Sequence, residues 1–169
     1  MPLITLAKYS DIFVETGTLH GDGVQVALNA GYNKIISIEI TDKFYNYGTQ
    51  RFISNSNVKI VKGDSALVLG DIIKDINEPI TFWLDGHYCG GDTGYKGKEY
   101  PLLLELGHIL KHPIKTHNLL IDDIRIWKNY SNSLNMELVI KAIRSINSNY
   151  TLSFLDGIDR NDILMARLL

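Results

Sequence analysis

Short apolar runs, many of them β-branched, alternate along this chain with longer stretches whose apolar positions recur at helical spacing. Asp11–Glu15 (DIFVE) reads as a buried strand that ends at a Gly-rich turn. Gly21–Ala30 follows with Val24, Val26, Ala27 and Leu28, and Gly31 is placed to stop that helix. Lys34–Ile40 reads as a second strand, and Thr41 or Asp42 as the cap of a helix reaching about Ile53. Val58–Val61 predicts a third strand, and Asp64–Ile76 a helix with Leu67, Leu69, Ile72, Ile73 and Ile76 on its apolar side. Pro79–Leu84 is the fourth strand. A Gly-rich loop then runs from Gly86 to about Lys98, and Glu99–Leu110 reads as a helix with Pro101 in its first turn. His117–Ile121 and Leu134–Ile146 complete a fifth strand and helix. Two final strands, Tyr150–Phe154 and Asp162–Leu168, are joined by LDGIDRN, which is too short for a crossover helix. That pair must be antiparallel. Five βα units and a terminal hairpin predict an α/β fold: a doubly wound, seven-stranded, mostly parallel sheet in one domain over 1–169.

The chemistry gathers where the apolar runs end. Glu15, Glu39, Asp64, Asp85 and Asp122-Asp123 all stand at or just beyond a strand's carboxyl end, the edge at which an open parallel sheet binds ligands. The turn Gly17-Thr18-Leu19-His20-Gly21-Asp22-Gly23 leads into a helix whose free N–H groups suit a carboxylate or phosphate. It reads either as an ordinary strand-to-helix turn or as a cofactor loop. As a dinucleotide fingerprint it fails, because GxGxxG requires glycine where Leu19 stands. Glu39, about twenty residues beyond the turn, is placed to accept ribose hydroxyls, or to cap the following helix. Asp64 and Ser65 are good cap residues that can also face an adenine edge. Asp85, Asp122 and Asp123 read either as solvated loop acids or as oxygen ligands for a hard cation such as Mg²⁺. His87 is a candidate general base beside Asp85, and His20 a weaker one. Trp83, Trp127 and tyrosines 88, 95, 100 and 130 line either a pocket or the core.

Composition narrows the function classes. Apolar content of 45%, charged content of 21% and a net charge of −2 are ordinary for a soluble domain, and they lack the basic excess of a nucleic-acid binder. The apolar runs are strand-length, so no membrane span is expected. The opening MPLITLAKYSD lacks the layout of a secretory signal, and the single cysteine, Cys89, cannot form an internal disulfide. A cytoplasmic location is the expectation, and the sequons at Asn129 and Asn149 are then chance matches. Cys89 has no CxxC partner for a thiolate zinc site. There is no GxSxG and no P-loop lysine, which argues against serine hydrolases and Walker-type NTPases.

FVETGTLHG, IEI, GDS, FWLDGHYCGG and LLIDD, taken with the terminal hairpin, resemble class I S-adenosylmethionine-dependent methyltransferases. The likeness runs from Asp11 to Leu169 and implies a Rossmann-like fold. The first motif resembles the ExGxxxG of small-molecule O-methyltransferases. LDGHY and IDD resemble a small bacterial and viral subgroup, and the acids resemble the metal ligands of macrocin-type sugar O-methyltransferases. By this resemblance Glu15, Gly17, Thr18 and Gly21 border the methionine moiety, Glu39 the ribose, and Asp64 and Ser65 the adenine. Asp85 adjoins the cofactor and shares a Mg²⁺ with Asp122 and Asp123, while His87 and Asp85 serve catalysis. The implied reaction is methyl transfer to a small-molecule hydroxyl, with a sugar as the favoured acceptor. Relatives close over substrate with N-terminal helices. Here the Gly86–Lys98 loop and the Ile124–Ser133 connection would supply that cover, alone or with a second subunit of a homo-oligomer. Two other readings share the architecture: an NAD-dependent oxidoreductase or epimerase, and an inactive cofactor-fold module that acts by association.

Overall fold

The computed structural model describes residues 6–87, 90, 93, 100–129 and 134–169. Seven strands form one sheet: β1 (Ile12–Thr16), β2 (Lys34–Glu39), β3 (Val58–Lys62), β4 (Ile80–Leu84), β5 (Asn118–Ile121), β6 (Thr151–Leu155) and β7 (Ile163–Arg167). Their order is β3-β2-β1-β4-β5-β7-β6, with β7 antiparallel to both of its neighbours. Every residue of β1 and β4 is buried because both faces of these central strands are covered, including the polar Glu15, Thr16 and Thr81. The helices are α1 (Asp22–Asn29), α2 (Asp42–Arg51), α3 (Ser65–Ile73), α4 (Leu102–Lys111) and α5 (Met136–Ile146). A 3-10 helix at Ile124–Asn129 follows β5.

Local chemistry sets these boundaries. Thr41 accepts the Phe44 N–H at the start of α2, Asp64 accepts that of Ala66 at α3, and Asn135 accepts that of Leu138 at α5. Gly21, at φ +81°, starts α1 without a side-chain cap. Pro101 occupies the cap position of α4, so the helix begins at Leu102, later than the pattern predicts; Glu99 lies outside the described residues.

The core divides by sheet face. Leu69 and Ile73 of α3, Leu102, Leu106 and Ile109 of α4, and Val139 and Ile143 of α5 pack on one face. Val24 and Ala27 of α1 pack on the other with Phe13, Trp83, Leu120 and Met165. One expected core position is corrected: Leu67 is 63% exposed, since it projects from the first turn of α3 away from the sheet. Ile76 is buried, but in the turn after α3 rather than within it. Among the described residues, no helix is long and apolar enough to cross a membrane.

Candidate cofactor cleft and acidic cluster

The strand order places the carboxyl ends of β1, β2, β3 and β4 side by side, and a cleft opens there. Gly17, Leu19, Glu39, Asp64, Ser65 and Asp85 line it, together with Gly86 and His87. A second cavity of about 280 Å³ lies on the α1 side, against Phe13, Glu15, Thr18 and Trp83. The two share Gly17, Leu19 and Asp85. Residues far apart in sequence therefore line two adjoining cavities.

Gly17 is the pivot. Its φ is +85°, and a Cβ there would stand 2.5 Å from the Asp85 carbonyl oxygen, so the turn after β1 presses directly on the end of β4. Leu19 occupies the place of the missing fingerprint glycine, yet keeps a left-handed backbone at φ 47°. Its N–H donates to Glu39 Oε2 at 2.9 Å. Glu39 Oε1 accepts from the Thr41 N–H and hydroxyl, each at 2.8 Å. A carboxylate offers roughly four acceptor sites, so about one, on Oε2, is left for a ligand hydroxyl.

Glu15 lies deeper. It is 2% exposed, accepts from the Ser37 hydroxyl at 2.5 Å, and burial pushes its carboxyl up to about 8 despite that bond. Thr18 completes the chain through a 2.6 Å contact to the Ser37 hydroxyl. Gly23 admits the carboxyl, since a Cβ there would overlap Glu15 Oε1. Gly21 lines neither cavity: a Cβ on it would meet the Phe52 ring at 2.6 Å. His20 packs edge-on against Phe44 and Tyr47 beside the second cavity, away from the acidic cluster.

The acids after β4 and β5 meet because Leu84 pairs with Ile121 in register. His87 Nε2 lies 3.2 Å from Asp85 Oδ1 and closer still to Asp123 Oδ2, and its ring stacks on Tyr100 at 5.4 Å. Asp123 is left-handed at φ 60°, a backbone that Asp tolerates better than most residues. The expected trio is thus rearranged. Among the described residues, one set of potential ligands is Asp85, His87 and Asp123, and another is Asp122, Asp123 and Asp162. Asp122 falls in the second set, its Oδ1 accepts the Asp123 N–H at 2.8 Å, and its carboxyl still feels the charge of Asp85.

Electrostatics separates these groups. Burial raises Asp85, and it pushes Asp122 up to about 7, with the Asp85 and Asp123 charges adding to the effect. Burial acts on Asp123 too, but His87 and Arg125 outweigh it and lower that carboxyl. Arg125 bridges Asp123 and Asp162, so the second set already holds a cation of the protein's own.

Three participants were missed in the sequence. Asp162 and Arg125 gave no signal, because their meeting depends on where β7 sits. Glu105 did give one: it occupies a core position of α4 together with Leu102, Leu106 and Ile109. It is 1% exposed, accepts from the Ser65 hydroxyl at 2.5 Å, and burial pushes it up to about 7. Tyr88, Cys89 and Tyr95, most of the Gly86–Lys98 loop, and residues 130–133 lie outside the described residues.

No family model matches the chain, and no curated protein matches it in sequence. Solved structures do match. An O-methyltransferase from Bacillus cereus in complex with S-adenosylhomocysteine (SAH) aligns over 94% of this chain and 74% of its own, at 13% identity and TM-score 0.65. Fibrillarin from Aeropyrum pernix, with natively bound S-adenosyl-L-methionine, aligns over 99% and 69% at 12% identity and TM-score 0.60. An rRNA methylase from Streptococcus thermophilus aligns over 99% and 92% at 16% identity and TM-score 0.54. The chain has the class I methyltransferase fold.

Proposed function

We propose that this protein is an S-adenosylmethionine-dependent methyltransferase that acts on a small-molecule hydroxyl. One observation carries the reading: the cleft lined by Glu39, Asp64 and Ser65 and the cavity lined by Glu15 are neighbours, with Gly17, Leu19 and Asp85 lining both. Glu39 accepts a ribose hydroxyl through the free site on Oε2. Asp64 and Ser65 border the base while keeping their structural bonds. Glu15, Gly17 and Thr18 border the amino-acid end, where a largely protonated Glu15 adds little negative charge at neutral pH. The cofactor supplies an electrophilic methyl group, and transfer requires an acceptor oxygen held in line at about 3–3.5 Å from the methyl carbon.

A divalent cation fits Asp85, His87 and Asp123, whose ligand atoms lie within 4.8 Å of one another. An imidazole with two carboxylates suits Mn²⁺, Fe²⁺ or Zn²⁺ better than the all-oxygen preference of Mg²⁺. An ion held there would lower the pKa of an oxygen bound to it. With a metal present His87 is a ligand; without one, it is the base candidate nearest Asp85. A sugar hydroxyl is the acceptor class we favour.

An RNA acceptor is the second reading, prompted by structural similarity to the rRNA methylase. The net charge of −2 weighs against it. An NAD-dependent enzyme fits less well, because the dinucleotide fold carries a 3-2-1-4-5-6 order without an inserted antiparallel strand. Calorimetry with SAH and with NAD⁺ tests the proposal: SAH should bind and NAD⁺ should not. Glu39→Ala should weaken SAH about tenfold or more, since a hydrogen bond to a charged group contributes ~1.5–3 kcal/mol. Wild-type affinity in that variant would remove Glu39 from the site, and absent SAH binding would overturn the reading.

A further inference from the structure

Directly beneath Gly86, three polar groups converge. A Cβ on Gly86 would stand 3.0 Å from Glu105 Oε1, 3.1 Å from the Thr16 hydroxyl and 3.2 Å from the Ser65 hydroxyl. Ser65 donates to Glu105 at 2.5 Å, and the Thr16 hydroxyl faces the same carboxyl. Thr16 Oγ1 in turn accepts the Asp85 N–H at 3.1 Å. One side chain from α4 thereby reaches through the core to the last residue of β1, the first of α3, and the backbone just past β4. The sheet itself ties two of those ends, since the Asp85 N–H also donates to the Thr16 carbonyl at 3.3 Å, but the β1–β4 pairing does not reach α3.

A carboxyl at this depth is costly to bury, and an apolar residue would suit the α4 stripe better. Leu102, Leu106 and Ile109 show what that stripe otherwise contains. The carboxyl has bonding capacity that neither the sheet nor the helix uses, and its bond to Ser65 runs to a residue that lines the cleft.

We infer that Glu105 is a positioning residue: through Thr16 and Ser65 it fixes the Asp85–Gly86 backbone and the start of α3, and so sets the shape of the cofactor cleft. The inference about affinity rests on the proposed function; the inference about the backbone does not. Glu105→Leu removes the acceptor while matching the helix stripe, and Glu105→Gln keeps one carbonyl acceptor. Thr16→Val removes the hydroxyl that stands between Glu105 and the Asp85 N–H, and leaves the Ser65 bond and the Asp85 bond to the Thr16 carbonyl in place.

Two readouts decide the matter. Native-state hydrogen exchange should show the Asp85 amide opening about tenfold faster in Glu105→Leu and in Thr16→Val, with the core amide of Leu120 as reference. SAH affinity should fall about tenfold in Glu105→Leu and recover most of that loss in Glu105→Gln. If Glu105→Leu does not fold, Thr16→Val and Glu105→Gln carry the test. Unchanged protection of Asp85 in Thr16→Val overturns the inference. So does SAH binding at wild-type strength in a folded Glu105→Leu. A wild-type protein that binds no SAH sinks the proposed function instead, and the exchange measurement still decides the role of Glu105.

Discussion

At the scale of single residues, two glycines with the same backbone make a controlled pair. Gly17 and Gly31 both hold positive φ, +85° and +81°, but a Cβ at Gly17 would strike the Asp85 carbonyl while one at Gly31 meets nothing within 4 Å. Gly31→Ala pays only for the left-handed conformation, ~1–2 kcal/mol. Gly17→Ala adds a clash against backbone that cannot rotate away, and overpacking of that kind costs ~1–3 kcal/mol more. Urea unfolding should rank the variants accordingly, and Gly17→Ala should lose SAH binding while Gly31→Ala keeps it. Equal destabilisation would show that β4 yields to the turn. The strand-end acids were legible at this scale because each terminates an apolar run. The partners of Glu39 were not, since Leu19 reaches it only once the turn after β1 has folded over β2, and Thr41 only once the chain has turned into α2.

At the scale of elements, the opposite edge of the sheet is tied by a histidine relay. The Ile80 N–H at the start of β4 donates to His117 Nδ1 at 3.0 Å, which requires that nitrogen to be unprotonated. His117 Nε2 then donates to His112 Nδ1 at 3.0 Å, and His112 Nε2 to the Ile73 carbonyl at 3.0 Å. The relay joins β4, β5, the end of α4 and the end of α3. Burial, with His112 and Lys115 adding, pushes His117 down to about 4 from an ordinary value of 6.5. Between those values the unfolded chain binds the extra proton, so this contribution is complete above pH 6.5 and is lost as pH falls toward 4. His117→Asn should therefore be clearly less stable than wild type at pH 7.5, and the gap in melting temperature should narrow toward pH 4.5. A constant gap would mean that His117 does not titrate with folding. Element boundaries read well from the sequence where a capping side chain marks them, as at Thr41 and Asp64. They failed at α4, where Pro101 carries no side-chain acceptor and a core-facing Glu105 looks like a surface acid.

At the scale of the whole molecule, the seven strands and the antiparallel final pair follow from the short LDGIDRN connection, but the insertion of β7 between β5 and β6 does not. Loop length says that two strands are neighbours, not which of them meets the rest of the sheet. This is why Asp162 escaped notice. The same architecture frames the metal test. If Asp85, His87 and Asp123 hold an ion, isothermal titration of the chelator-treated protein should show Mn²⁺ binding more tightly than Mg²⁺, and His87→Ala should reduce that preference. Methyl transfer to a hydroxyl acceptor should stop in EDTA and return with Mn²⁺. Activity undiminished in chelator would leave the trio as a hydrogen-bonded acid pair around His87.

Because β7 runs against its neighbours, its amino end comes to the edge where every parallel strand presents its carboxyl end. Residues 156–161 are thereby carried to that edge as well, with Ile158 standing 58% exposed at the far side of Asp162. The hairpin tip is an overhang on the functional rim, anchored by Arg125 to the acids of the site and yet outside every strand register. Residues inserted there would lengthen that edge beside Asp162 without moving a single paired strand, so, on the proposed function, new surface for an acceptor could be built at this tip while the cofactor cleft stays as it is.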